Sequence, residues 1–290
     1  MEQWTIKKLL DWMVEYLGEK GIESPRLSSE MLISFTLKME RIQLYAQFDK
    51  VVSPDELAKL RELIKRAIAN EPIQYLIGSC EFYSMTMKVT PDCLIPRPET
   101  ELLVERAIEF LTSRSGTQHV CDLCTGSGCV AVAIAKNFNN SKVIATDICE
   151  KALSVATENI QKYQLGERIE LLGGDLFEPV ISQLDGAEFD LITANPPYVT
   201  SSEMESLEDN VRKYEPKIAL HGGVEGLDIY RRIISGIDSH LKSGGALIME
   251  IGYAQGTAIK ELLESARIFN EIKVEKDFNN NDRVVTAIKN

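Results

Sequence analysis

The sequence has no surplus of basic residues: 32 Lys and Arg stand against 44 Asp and Glu, a formal net charge of −12. A protein that grips nucleic acid by its phosphates needs a concentration of Lys and Arg. The balance leans against that class, although a whole-chain charge says nothing of a local basic patch. Long apolar runs are missing too, since none approaches the roughly 20 residues that span a bilayer. The opening residues, MEQWTIKKLLDWMVEYLGEKG, lack the build of a signal peptide, because charges interrupt the apolar positions and no small-residue cleavage site follows. Six cysteines without a secretory signal read as reduced thiols in a cytoplasm. Histidine is limited to three positions, and His221 and His240 have no triad-like company. No internal repeat or low-complexity tract is present. The expectation is a cytoplasmic protein with no membrane segment.

What remains is an ordinary globular composition, 44% hydrophobic and 26% charged over 290 residues, enough for one large domain or two ordinary ones. Residues 1–72 read as a helical domain. Ile6, Leu9, Leu10, Met13 and Leu17 form an amphipathic stripe. Ser28 or Ser29 can cap a second helix carrying Met31, Leu32 and Phe35 inward. Ser53-Pro54-Asp55-Glu56 is a capping box with Pro at the first helical position. The only tryptophans, Trp4 and Trp12, read as packing residues. Residues 73–95 read as a connecting β-hairpin, with Phe82 to Val89 as strand between Gly78 and Pro91. From 96 to 290 helix-like and strand-like segments alternate, which calls for an α/β fold, a parallel sheet with helices on both faces. The expected strands are 118–123, 142–146, 168–172, 188–194, 245–251, 270–275 and 284–288.

Two motifs carry chemistry. Asp122-Leu123-Cys124-Thr125-Gly126-Ser127-Gly128 lies between a strand and a helix, where glycines permit a tight turn and let a ligand approach the main chain at a helix N-terminus. Asp147, at the tip of the next strand, suits the two hydroxyls of a ribose. Together they point to a nucleoside-containing cofactor. NAD is disfavoured because Gly126-Ser127-Gly128 runs on into Cys129-Val130-Ala131, without the third glycine of its fingerprint. No Gly-Lys-Ser/Thr follows to make a phosphate-binding loop of the ATPase kind. The second motif is Asn195-Pro196-Pro197-Tyr198, directly after the strand Phe189–Ala194. Two prolines remove two backbone donors and stiffen the chain. The Asn195 amide and the Pro196 carbonyl become fixed acceptors beside the Tyr198 ring. A planar NH2 group, from a carboxamide or an adenine, could donate both hydrogens to them. A rigid post-strand turn is the plain alternative.

Asn-Pro-Pro-Tyr in this position resembles the S-adenosylmethionine-dependent methyltransferases that modify amino groups conjugated to a π system. Further stretches resemble the HemK/PrmC family, the peptide chain release factor glutamine methyltransferases. They are Glu71-Pro72-Ile73-Gln74-Tyr75-Leu76-Ile77-Gly78, Ile95-Pro96-Arg97-Pro98-Glu99-Thr100-Glu101, Gly174-Asp175-Leu176-Phe177-Glu178-Pro179, Tyr214-Glu215-Pro216, Gly226-Leu227-Asp228-Ile229-Tyr230 and Glu250-Ile251-Gly252. The resemblance implies a Rossmann-like class I methyltransferase domain with a small N-terminal helical domain for substrate recognition. It implies S-adenosyl-L-methionine as cofactor and methylation of the glutamine nitrogen in the Gly-Gly-Gln loop of class 1 release factors. Carried over, the cofactor pocket is Cys124, Thr125, Gly126, Ser127, Gly128, Asp147, Leu176 and Asn195. The substrate glutamine rests on Asn195, Pro196, Pro197 and Tyr198, with Asn195 and Pro196 catalytic. The chain departs from a common family form at Cys124, Leu176 and Glu225.

The Ile95–Glu101 stretch reads as structural first, a prolyl lead into a helix that walls the cofactor pocket, with Arg97 held by a carboxylate. Cys121, Cys124 and Cys129, with His119, invite a zinc reading, but no second Cys pair at zinc-ribbon spacing follows, so the cysteines read as buried thiols and no metal is expected. An adenine methyltransferase acting on DNA or RNA shares the Asn-Pro-Pro-Tyr chemistry but must flip its base and hold phosphates, which the acidic balance does not favour. A ribosomal-protein glutamine methyltransferase is a nearer alternative, and a non-catalytic partner-binding protein a third. The expectation is a monomer that meets a protein loop rather than nucleic acid.

Overall fold

A computed structural model describes residues 3–184 and 186–290. The chain divides into two compact units, one holding the residues up to Ser79 together with Glu208–Tyr214, the other Cys80–Leu207 together with Glu215–Asn290.

The first unit is helical: α1 Ile6–Glu19, α2 Pro25–Leu37, α3 Arg41–Ala46, α4 Pro54–Ile68 and α5 Ile73–Ile77. The stripe of α1 is buried, with Ile6, Met13 and Leu17 sealed against Leu32, Ile33, Leu44 and Leu60. The capping box of α4 forms as expected. Glu56 Oε2 accepts from the Ser53 amide at 2.7 Å, and Ser53 Oγ accepts from the Glu56 amide at 3.3 Å. Helix α2 corrects the sequence reading. It starts at Pro25, so Ser28 and Ser29 sit inside it and donate their hydroxyls to the carbonyls of Glu23 and Pro25. Proline at the first helical position outweighs the serine caps further on. Phe35 does not face inward but is 37% exposed, with the Lys59 ammonium 4.3 Å from its ring centroid. Trp12 is exposed over part of its ring and stacks on Tyr16, while Trp4 meets it edge-on at 6.0 Å.

Residues 73–77 form α5, closed by Gly78 with φ +74, rather than the first part of a hairpin. Glycine there supplies the left-handed C-cap that ends the helix. The hairpin is confined to β1 Ser79–Phe82 and β2 Met85–Lys88. Phe82, Met85 and Met87 are buried in the same apolar cluster as Leu103, Val104 and Val120, so it packs as part of the second unit's core.

The second unit continues with α6 Glu101–Thr112, β3 Gln118–Leu123, α7 Cys129–Asn137, β4 Ser141–Asp147, α8 Glu150–Lys162, β5 Ile169–Gly173, α9 Glu178–Gln183 and β6 Phe189–Ala194. After α10 Asp209–Tyr214, which belongs to the first unit, come α11 Asp228–Gly236, β7 Leu241–Glu250, α12 Gly256–Ala266, β8 Phe269–Lys276 and β9 Asp282–Lys289. The seven strands order as β5-β4-β3-β6-β7-β9-β8. Strands β3 to β7 are parallel and β9 is antiparallel to both its neighbours. Two apolar clusters cover the two faces, one built on α6, α7 and α8, the other on α11 and α12. The order reverses at β3, with β4 on one side and β6 on the other. That is a topological switch point, where open α/β sheets leave a crevice at the carboxyl ends of their strands.

Candidate functional site

A cavity of about 590 Å³ opens at this switch point, within the size range of cofactor sites. Asp122, Cys124, Thr125, Gly126 and Ser127 line it from the end of β3, Thr146 and Asp147 from β4, Leu176 from beyond β5, and Asn195 and Pro197 from beyond β6. Of the residues singled out in the sequence, Gly128, Pro196 and Tyr198 stand off its wall.

The turn after β3 is built by left-handed backbone: Cys124, Gly126 and Gly128 have φ of 56°, 55° and 77°. At Gly128 a Cβ would come within 3.1 Å of the Ala156 Cβ, so glycine also lets α7 start close against α8. Buried Asn159 of α8 donates to the Ser127 carbonyl at 2.9 Å and exchanges two hydrogen bonds with the Lys88 backbone, at 2.7 and 3.0 Å. It thereby pins the turn to the end of β2. Beneath the turn, buried Asp122 accepts from Thr125 Oγ1 at 2.6 Å and from Thr193 Oγ1 at 2.7 Å. Burial pushes its carboxyl up to about 6, against the pull of those two hydroxyls.

Asp147 caps the same region. Its carboxylate accepts from the Gly126 amide at 2.8 Å and the Cys149 amide at 2.9 Å. Burial raises its pKa, and the backbone donors hold it back. Leu176 has a left-handed backbone with φ 51°, and its carbonyl accepts from Thr146 Oγ1 at 3.1 Å. Leu94, Ile148, Ile218 and Ile229 add apolar wall. Cys93 and Cys129 line the cavity as buried thiols and Cys124 as a half-buried one; desolvation raises the pKa of each, that of Cys93 to about 11. Among the described residues no group of three or more His, Cys, Asp or Glu side chains is placed to hold a metal.

At the β6 side, Asn195 Nδ2 donates to Thr100 Oγ1 at 3.3 Å, and Thr100 Oγ1 donates to Glu250 Oε2 at 2.5 Å. Tyr198 turns its hydroxyl away from the cavity onto Glu250 Oε1, at 3.3 Å. Glu250 is buried at the end of β7, and desolvation raises its pKa while the Thr100 hydrogen bond and the Arg283 charge oppose the rise. Burial likewise pushes the Tyr198 phenol well up. Buried Glu215 pairs with Arg97 and accepts from the Ile95 amide at 3.2 Å, which is the carboxylate expected for Arg97. The Pro197–Val199 backbone is zipped to Leu220–Gly222: Val199 N–H donates to the Leu220 carbonyl at 2.8 Å and Gly222 N–H to the Val199 carbonyl at 2.9 Å. His221, given no role by the sequence, lies on the cavity wall 2.9 Å from Ser201 Oγ. His240 is buried and stacks on Phe177.

The lining suits a cationic nucleoside cofactor. Four carboxylates, from Asp92, Asp122, Asp147 and Asp175, face two basic side chains, Lys217 and Arg232. Arg232 is already paired with Asp175 at 2.7 Å. A sulfonium with an ammonium group fits such a donor set better than a pyrophosphate does.

The comparisons with known proteins agree with this geometry. Residues 99–211 match the methyltransferase small domain family, and residues 8–78 the PrmC N-terminal domain family. Fold and site thus define a class I methyltransferase, a class that uses S-adenosylmethionine. A methyltransferase of Pyrococcus furiosus, 18% identical, shares the fold with a TM-score of 0.51 over 82% of this chain and 99% of its own. The release factor glutamine methyltransferase of Geobacter sulfurreducens is 41% identical, covering 98% of this chain and 96% of its own length. That of Rhodopirellula baltica is 38% identical, over 99% and 97%. The chain belongs to the release factor glutamine methyltransferase family.

Proposed function

We propose that this protein transfers a methyl group from S-adenosyl-L-methionine to the side-chain nitrogen of the glutamine in the Gly-Gly-Gln loop of class 1 peptide chain release factors. The observation that carries the reading is Asn195. Its Nδ2 is engaged by Thr100, its Oδ1 accepts no hydrogen bond among the described residues, and it lines the cavity at the head of a two-proline turn.

Cys124 to Gly128, Asp147, Leu176 and Asn195 would hold the cofactor, which would supply an electrophilic methyl on a sulfonium. Asp147, at the tip of β4, would accept from the ribose hydroxyls. The substrate carboxamide lies on Asn195, Pro196, Pro197 and Tyr198. An amide nitrogen is a poor nucleophile because its lone pair is shared with the carbonyl. Asn195 Oδ1 and the Pro196 carbonyl accept its two N–H bonds, align the nitrogen for in-line displacement and stabilise the positive charge that grows there. Transfer would break the S–C bond as the N–C bond forms, and the methylated nitrogen would give its extra proton to water. No dedicated base is needed. The helical unit serves in recognising the release factor, and the enzyme works as a monomer in the cytoplasm without direct contact with nucleic acid.

Mass spectrometry of release factor incubated with enzyme and cofactor tests the reading. One methyl gained on the Gly-Gly-Gln peptide is expected, and methylation elsewhere, or of DNA instead, refutes it. Asn195→Ala abolishes transfer and lowers cofactor binding less; a fully active Asn195→Ala enzyme is incompatible with the mechanism.

A further inference from the structure

The amide of Asn195 is useful to the proposed reaction in only one of its two orientations. With Oδ1 toward the substrate it accepts an N–H; flipped, it would present a donor to a donor. Nothing in the Asn195 side chain itself fixes that choice, since oxygen and nitrogen are nearly the same size. The choice is made behind it. Thr100 Oγ1 is 1% exposed as a residue and has one proton, which it gives to Glu250 Oε2 at 2.5 Å. Having spent that proton, the hydroxyl can only accept from Asn195, and Nδ2 is the atom that meets it, at 3.3 Å. The direction of the first bond depends on Glu250 being an acceptor at both oxygens. The structure satisfies this, because Tyr198 Oη donates to Oε1 at 3.3 Å while Thr100 donates to Oε2.

We propose that Glu250 and Thr100 are positioning residues that polarise a one-way hydrogen-bond chain, Asn195 to Thr100 to Glu250, and so keep Asn195 Oδ1 turned to the substrate carboxamide. Neither residue touches the reacting atoms in this scheme. The three residues come from three separate elements: Thr100 from the turn ahead of α6, Asn195 from beyond β6, Glu250 from the end of β7. A flipped Asn195 would set Oδ1 against the lone pairs of Thr100, an unfavourable contact in a buried site of low dielectric. The inference rests on the glutamine-methylation reading and adds to it the device that orients its acceptor.

The experiment is steady-state methylation of release factor by wild type, Thr100→Val, Thr100→Ser and Glu250→Gln, with cofactor binding measured by calorimetry and folding by thermal melts. Thr100→Val is isosteric and cannot relay; kcat falls about 10- to 100-fold while KM and cofactor Kd stay within about twofold. Thr100→Ser restores the hydroxyl and recovers most of the rate. Glu250→Gln lowers kcat as well, because its Nε2 can donate to Thr100 and reverse the chain. A Thr100→Val enzyme of wild-type rate overturns the proposal, as does Thr100→Ser impaired equally with Thr100→Val. Losses confined to KM or cofactor Kd overturn it also. Should Thr100→Val fail to fold, the kcat of Glu250→Gln decides in the same sense. Wild type that leaves the glutamine unmethylated refutes the functional reading instead, so the two failures are distinct.

Discussion

Gly222→Ala is the most direct probe of how tightly the Asn195–Tyr198 turn is held. A Cβ at Gly222 would lie 2.6 Å from the Pro197 carbonyl oxygen and 2.8 Å from the Tyr198 Cα. Both are backbone atoms, so neither can swing aside as a side chain could. The two segments are also hydrogen-bonded to each other on either side of the contact. Ordinary contact begins near 3.4 Å, so the strands must part by the difference from 2.6 Å, about 0.8 Å. Overpacking of this kind costs ~1–3 kcal/mol of stability. A displacement of about 1 Å in a positioning group can cost ~10²-fold in rate. The expected outcome is a folded enzyme whose methylation rate falls by one to two orders of magnitude, out of proportion to a modest loss in a urea melt. Gly166→Ala is the matched control. Gly166 is exposed, and an added Cβ meets nothing within 4 Å. A Gly222→Ala enzyme that keeps both the wild-type rate and the wild-type melt would refute the reasoning.

Asp122 makes stability depend on pH. Its folded pKa, about 6, lies above its ordinary 3.8, so ionising it opposes folding; stability is lost as pH rises between these values, by ~3 kcal/mol from this group. Urea melts of wild type and Asp122→Asn from pH 4 to 7 should converge in slope only above about pH 6, and parallel curves throughout would refute the assignment. Arg97→Ala strands the buried Glu215 with the Ile95 amide as its remaining donor, and a loss of about 3 kcal/mol in the same assay is expected. Arg97→Lys should recover part of it. Tyr198→Phe gives up a 3.3 Å hydrogen bond to Glu250 but keeps the ring; its methylation rate should fall by less than about tenfold, roughly 1 kcal/mol.

The α/β alternation was legible because parallel strands buried on both faces read as continuous apolar runs, and Asp147 and Asn195 announce themselves at the strand tips. The sequence placed the β3 turn and the two-proline turn correctly on loops at strand ends. Short helices escaped it: α3, α5 and α10 are too brief for a periodic stripe, and α5 was hidden in a stretch with strand-like Ile73 and Ile77. The partners behind the site escaped for another reason. Thr100 and Glu250 are 150 residues apart and meet only because β7 is laid beside β6. Asn159 likewise joins the β3 turn to the hairpin through strand and helix placement that no local pattern encodes. Asp122 was visible as a motif member, but its hydroxyl partner Thr193 became apparent only with the register of β3 against β6.

The carboxylate behind Asn195 depends on the last strand of the fold, β9. Residues 282–289 insert between β7 and β8, with Val284 in register with Glu250. Until that strand is in place β7 has an open edge, and Glu250 sits at a solvent-facing margin. Removal of residues 282–289 would therefore uncover the carboxylate behind the two-proline turn while leaving β3 and β6, which lead into both turns, paired with each other.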